Sequence, residues 1–318
     1  MKKIRIAAVI LSAALLVTGC TLNKEEKQNE LKETAIENIG AGEYEEALTN
    51  LNEALKEAGG TVTEREVDIC YYKGAVQYLL ADTAGAIDTY SGLILYDEND
   101  ASAYYLRGSL YLKEKESDLA LKDYKKAVKV SNNDYELYIQ IYENLNALDY
   151  RDEGLEFLNL ALEIEGNSAN QLLWRGRIYL ILEQYEAAEK VLKSAVEKGN
   201  AEANIYLAQA YRGNGDEDSA SEVLSTFANE AAATSVGLQV LGDIYMEDGN
   251  YEEAYKAYEK ALSLEEVSNK KQLWKNEIGA LEYMGDFSKA LETANEFIAE
   301  YPSDTDVIKE LIFLNTRV

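Results

Sequence analysis

The sequence predicts an all-α fold: a solenoid of about eight helical hairpins closed by a C-terminal capping helix. Three observations predict it. Small residues recur at Ala47, Ala86, Ala120, Gly154, Ala188, Ala220, Ala254 and Ala290, at intervals of 39, 34, 34, 34, 32, 34 and 36 residues. Around them, apolar residues fall at i, i+3, i+4 and i+7, the spacing of one helical face. One proline in 318 residues leaves long helices uninterrupted. A fixed period of this length is the signature of a stacked array in which each hairpin buries its seam against its neighbours.

Each element has a local reason. In the clearest copy a first helix carries Tyr104, Gly108 and Tyr111, and a second carries Ala120, Tyr124 and Ala127. Another runs Leu238, Leu241, Gly242 and Tyr245, then Ala254, Tyr258 and Ala261; a third has Arg175, Gly176 and Tyr179, then Ala188, Leu192 and Ala195. The Gly or Ala slots let two helix backbones approach, and the Tyr and Leu slots fill the space between. Gly42, Gly215, Gly249 and Gly285 stand where a left-handed residue ends the first helix. Asp100 and Asp134 are placed as N-caps. Thr63 with Glu66 makes a capping box, so the longer first interval is an extended loop around Gly59-Gly60. Tyr142 and Ile278 depart from the small slot, repeat one lacks the aromatic opening, and the Ala-rich segment 228–234 blurs the end of repeat six. After Pro302, Asp304 to Asn315 reads as a final helix giving the last hairpin a polar cover.

These residues resemble the pattern of the tetratricopeptide repeat, a 34-residue helix-turn-helix. The resemblance covers residues 24–302 in eight copies, with 303–318 as the capping helix, and implies a right-handed superhelix. It also implies that first helices line a concave surface receiving peptides or protein segments. On that basis the groove residues are Tyr71, Tyr78, Tyr105, Glu143, Arg177, Gln209, Arg212, Gln239 and Asp243. Tyr offers rigid contact area with a polar tip, and Arg pairs bidentately with carboxylates. The basic set with which some co-chaperone members clamp a C-terminal carboxylate is not reproduced: Lys32 is present, but Ile36 stands where Asn is needed.

The first 19 residues read as a secretory signal: Lys2, Lys3 and Arg5, then an apolar run from Ile6 to Val17. That run is shorter than the roughly 20 residues of a membrane-spanning helix. Leu16-Val17-Thr18-Gly19-Cys20 resembles the lipobox of bacterial lipoproteins, with Val17 a mild departure. The resemblance implies cleavage before Cys20, a diacylglyceryl group on its sulfur, and residues 20–23 as a short tether. Two acyl chains suffice for stable anchoring. The expected location is the extracytoplasmic face of a bacterial cell membrane, as part of the envelope.

Composition excludes several function classes. A net charge of −27 makes a poor nucleic-acid binder. Such a field favours basic proteins and cations. With no histidine there is no Ser-His-Asp arrangement and no His-bearing metal site. Cys70 occupies the slot of Tyr104 and Leu238 and reads as core. Counting an EF-hand loop from Asn214 puts Ser219 and Ser225 where Gly and Glu are required, so Asp216-Glu217-Asp218 is a solvated turn. No enzymatic activity, cofactor or metal is expected. The leading expectation is a lipid-anchored scaffold binding protein or peptide partners. Two others stand beside it: a module for a small peptide or cell-wall fragment, and a structural subunit of an envelope complex.

Overall fold

The computed structural model describes residues 24–60, 62–229, 234–302 and 304–318. The expected signal peptide, Cys20 and the tether lie outside the described residues, as does much of the Ala-rich segment. Every regular element among the described residues is a helix. The chain divides into two compact units at Asn159/Leu160, within α8.

In the first unit the hairpins are α1 (24–41) with α2 (Tyr44–Glu57), α3 (Glu64–Leu79) with α4 (Thr83–Tyr96), α5 (Ala101–Lys113) with α6 (Ser117–Val130), and α7 (Tyr135–Ala147) with α8 (Arg151–Leu162). The second unit holds α9 (Ala169–Ile181) with α10 (Tyr185–Glu197), α11 (Ala203–Gly213) with α12 (Glu217–Asn229), α13 (Ser235–Glu247) with α14 (Tyr251–Leu262), α15 (Lys270–Met284) with α16 (Phe287–Glu300), and α17 (Thr305–Leu314). Each unit is thus a run of stacked helical hairpins.

All eight turns share one backbone device. The residue five places before each small slot adopts a left-handed conformation: Gly42, Ala81, Lys115, Asp149, Glu183, Gly215, Gly249 and Gly285. Its N–H bonds back three residues, as Gly215 N to Arg212 O at 2.9 Å. The next N–H bonds back five, as Asp216 N to Tyr211 O at 2.9 Å. This paired pattern satisfies the last carbonyls of the first helix and reverses the chain. Glycine meets the demand without steric cost at four turns; the other four accept a side chain there, which costs about 1 kcal/mol each.

The seams are as regular. Sixteen residues separate a first-helix slot from the second-helix side chain that fills it. A Cβ on Gly74, Gly108 or Gly242 would stand 2.6, 2.9 or 2.3 Å from the ring of Tyr90, Tyr124 or Tyr258, and one on Gly176 would stand 2.3 Å from Leu192. The two departures are compensated. Tyr142 faces Gly154, where a Cβ would come within 3.0 Å of its ring. Ile278 has Ala294 as its partner in register, and both are buried in one core cluster. Large and small exchange places while the volume of the seam is kept.

The caps form as the sequence requires. The Thr63–Glu66 capping box closes with both bonds, and the Asp100 and Asp134 side chains accept from Ala103 N and Glu136 N. Asp304 caps α17 through Asp306 N and Val307 N and takes Lys271 Nζ at 2.8 Å and Lys275 Nζ at 3.0 Å. The cover α17 provides is less polar than expected. Val307 and Leu314 turn into the core, whereas Ile308 is 39% and Ile312 66% exposed. In register these two sit at first-helix positions that pack on a second helix in complete hairpins, so they remain apolar.

Cys70 packs against the core cluster around Ala86 and Tyr90 as expected, but it is only half-buried and also lines a cavity.

Candidate functional site

The first helices of three successive hairpins form a groove of about 540 Å³ in the first unit. Ala75 on α3, Ser109 on α5 and Glu143 on α7 lie 34 residues apart and line it together, so the register itself runs along its floor. Tyr78 and Leu79 come from the last turn of α3, Tyr105 and Leu106 from the middle of α5, and Gln140 and Asn144 from α7. Three sequence-predicted residues, Tyr78, Tyr105 and Glu143, therefore meet in one place.

Its polar groups are arranged on a fixed base. Asn144 Nδ2 donates to Tyr124 Oη at 2.8 Å and to Ser109 Oγ at 2.6 Å. Beneath it Tyr124 meets Phe157 edge-on at 6.2 Å and Tyr105 at 5.9 Å. Burial raises the phenol pKa of Tyr105, so its hydroxyl stays protonated and serves as donor or acceptor. At the rim, the Lys113 ammonium donates to Tyr78 Oη and lies 4.3 Å from its ring centre. Glu143 is exposed. The groove thus presents three tyrosine rings, an aliphatic wall, two amides, one ammonium and one carboxylate. That is a surface for an extended segment with apolar side chains and polar backbone.

The other predicted groove residues lie elsewhere. Tyr71 lines a separate cleft of about 380 Å³ with Glu64, Asp68, Asp97 and Asp100. Its hydroxyl donates to Asp100, and burial together with that carboxylate raises its pKa strongly. The remaining five belong to the second unit. Arg177 is held between the rings of Trp174 at 4.3 Å and Tyr206 at 5.1 Å. Arg212 pairs with Asp248 and approaches Glu217 at 3.5 Å. Asp243 accepts from Tyr258 Oη at 2.6 Å and Asn276 Nδ2 at 3.0 Å. Gln209 and Gln239 are half-buried. Arg177, Arg212 and Asp243 are thus engaged within the repeats themselves.

Lys113, Gln140, Asn144 and Leu106 also line the groove and were not singled out from the sequence. Asn144 and Leu106 each adjoin a register position already identified, Glu143 and Tyr105, so a two-residue-wide face in place of single positions finds them.

The described residues contain no group of three or more acidic, Cys or His side chains placed to hold a metal, and no helix long and apolar enough to cross a membrane. The Asp216 cluster is used locally: Asp216 accepts from Ser219 N at 3.1 Å and Ser219 Oγ at 2.7 Å as α12 begins.

With this geometry in place, comparison with known proteins defines the class. Tetratricopeptide repeat models match residues 101–134, 173–234, 236–266 and 279–304. The chain carries tetratricopeptide repeats in both units. It is 32% identical over 113 residues to neutrophil cytosol factor 2 of Mus musculus, covering 36% of this chain and 19% of that protein. To the TPR repeat-containing protein MJ1428 of Methanocaldococcus jannaschii it is 27% identical over 201 residues, covering 63% of this chain and 28% of that one. The chain thus spans less than a third of these relatives. Among solved structures, a tetratricopeptide repeat protein of Parabacteroides merdae aligns with a TM-score of 0.45 at 17% identity, covering 80% of this chain and 99% of that one. PilW, described as a widely conserved type IV pilus biogenesis factor, aligns at 0.42 and 16% identity, covering 66% and 98%.

Proposed function

We propose that this protein is a lipid-anchored scaffold on the extracytoplasmic face of a bacterial membrane. It binds a protein or peptide segment along the groove between α3, α5 and α7. The observation that carries the binding reading is the convergence of Tyr78, Tyr105 and Glu143 on one cavity of about 540 Å³. Tyr faces give contact area at low entropic cost, and the fixed Ser109–Asn144–Tyr124 network supplies polar groups for a peptide backbone. No catalytic step is part of this reading, because the groove gathers neither a nucleophile with a base nor paired carboxylates.

The address rests on the basic segment, the apolar run Ile6–Val17 and the residues leading to Cys20. The net charge of −27 disfavours polyanionic partners and favours a basic one. Labelling growing cells with an alkyne analogue of palmitate tests the anchor. The wild-type chain takes up label, and Cys20→Ser loses both label and membrane association. An unlabelled wild-type chain, or a labelled Cys20→Ser variant, contradicts it.

A further inference from the structure

On the side away from the groove, a second cavity of about 570 Å³ opens among α2, α3 and α4, and hairpin three shows what is missing from it. The two hairpins are in a 34-residue register, so each side chain around the cavity has a counterpart. Cys70 corresponds to Tyr104, Lys73 to Arg107, Thr89 to Asp123 and Gly92 to Lys126.

In hairpin three these four residues form a closed set. Arg107 donates to both carboxylate oxygens of Asp123, at 2.7 and 2.8 Å, and Asp123 is 4% exposed. The guanidinium lies 5.8 Å from the Tyr104 ring centre, with Lys126 on the same ring at 5.7 Å. Hairpin two keeps only the cation. Thr89 stands in place of the carboxylate and turns its hydroxyl to Gln77 at 2.6 Å. Cys70 stands in place of the phenol, and Gly92 leaves open space where a Cβ would meet nothing within 4 Å. Lys73 is half-buried at the cavity wall, and among the described residues it makes no ion pair. In the same slot of hairpin five Arg175 has Val191 in register where Arg107 has Asp123, and reaches the Gly166 carbonyl at 3.5 Å, a backbone partner that Lys73 lacks.

Neither acidic residue at the cavity pairs directly with Lys73. Glu66 is committed to Thr63 and to Gln28, the latter at 2.7 Å, and Asp88 is exposed at the rim. Gly60 and Val62, from the connection between α2 and α3, stand at the cavity's edge.

We propose that this cavity is a binding site for an organic monocarboxylate on an aromatic or branched apolar body. The ligand supplies the carboxylate that Asp123 and the ring that Tyr104 supply one hairpin later. Lys73 takes the carboxylate, and Val67, Leu93 and Tyr96 take the body. A cavity of this size falls within the roughly 300–1,000 Å³ usual for small-molecule sites. A free small acid and the C-terminal residue of a peptide share this chemistry.

Calorimetry on the whole protein tests it with three probes: 4-phenylbutyrate, its neutral amide 4-phenylbutyramide, and N-acetyl-Ala-Phe with a free carboxylate. Binding of an acid, with the amide weaker by about tenfold or more, is expected from loss of a charge-assisted hydrogen bond. Which acid binds more tightly distinguishes the two sources. Bound acid should also slow alkylation of Cys70, read on the peptide that contains it. Lys73→Gln should weaken the acids to the level of the amide. Two further variants copy hairpin three and keep the fold: Thr89→Asp internalises the counter-charge, and Cys70→Tyr fills the ring site. Both should abolish binding with helicity and melting temperature retained or raised. Equal binding of acid and amide, no binding of either acid at millimolar concentration, or full binding by folded Thr89→Asp and Cys70→Tyr overturns the proposal.

Discussion

Gly242 and Tyr258 fit so closely that a methyl group on the first would stand 2.3 Å from the ring of the second. The same sixteen-residue relationship joins Gly74 to Tyr90 and Gly108 to Tyr124, so each hairpin is locked by a missing side chain in one helix and a large one in the other. Gly242→Ala should therefore destabilise by about 1–3 kcal/mol, although alanine is the better helix former. Gly92→Ala, also within a helix but facing open space, should stabilise by up to about 1 kcal/mol. Chemical denaturation of both variants checks the pair, and opposite signs are the expected result.

Turn chemistry offers a second contrast. Glu183 holds φ +57° at the position where Gly215 holds +79° in the next hairpin. Glu183→Gly should stabilise by about 0.5–1 kcal/mol, and Gly215→Ala should cost about 1 kcal/mol. Thermal melts of the single variants measure each.

Asp304 ties α17 to α15. It is buried, caps the helix through two N–H groups and accepts from Lys271 and Lys275. Against the cost of burial, these partners hold its carboxyl well below the usual range. A depressed folded pKa contributes stability above the unfolded value of about 4, lost as pH falls below it. Asp304→Ala should cost about 1–2 kcal/mol through the cap alone at pH 7. The difference from wild type should narrow below pH 4. Hydrogen exchange in α17, measured at both pH values, reads the effect where it arises.

Glu277 behaves oppositely. Burial in α15, with Glu259 and Glu296 adding repulsion against the opposing Lys289, pushes its carboxyl up to about 7. The unfolded chain releases this proton first, so the stabilising effect of the neutral form is present below about pH 4.5 and lost as pH rises through 7. Glu277→Gln should leave stability near pH 4 almost unchanged and raise it at pH 8 by up to about 3 kcal/mol. Urea unfolding midpoints across this range provide the measurement.

Much of the fold was legible because the repeat uses residues whose local physics is unambiguous. A glycine or alanine every 34 residues marks a helix crossing, and Thr63, Asp100 and Asp134 announce helix starts through side-chain caps. The turns at Ala81, Lys115, Asp149 and Glu183 were not legible, since nothing in those side chains asks for positive φ and only the hairpin imposes it. The outer face of α17 was misjudged for a related reason. Ile308 and Ile312 keep the apolar character of their register, which reads identically whether or not a second helix covers them.

The candidate site was legible in part. Register places a residue on the inner face, which sufficed for Tyr78, Tyr105 and Glu143. It does not say whether a neighbouring repeat consumes the side chain, as Tyr258 and Asn276 consume Asp243. The cavity beside Cys70 was missed for the converse reason: its own slot is a core slot, and the small Thr89 and Gly92 leave part of it open. Reading one column of the repeat at a time hides such paired vacancies.

The groove is tested most directly by placing a photo-crosslinking amino acid at Tyr105 in cells, beside controls at Lys125 on the second helix of the same hairpin and at Gln209 in the second unit. A discrete protein adduct is expected at 105 that disappears with Tyr78→Ala and Glu143→Lys, and none of that mass at either control. The same adduct from Lys125, or one at 105 that ignores both changes, would contradict it.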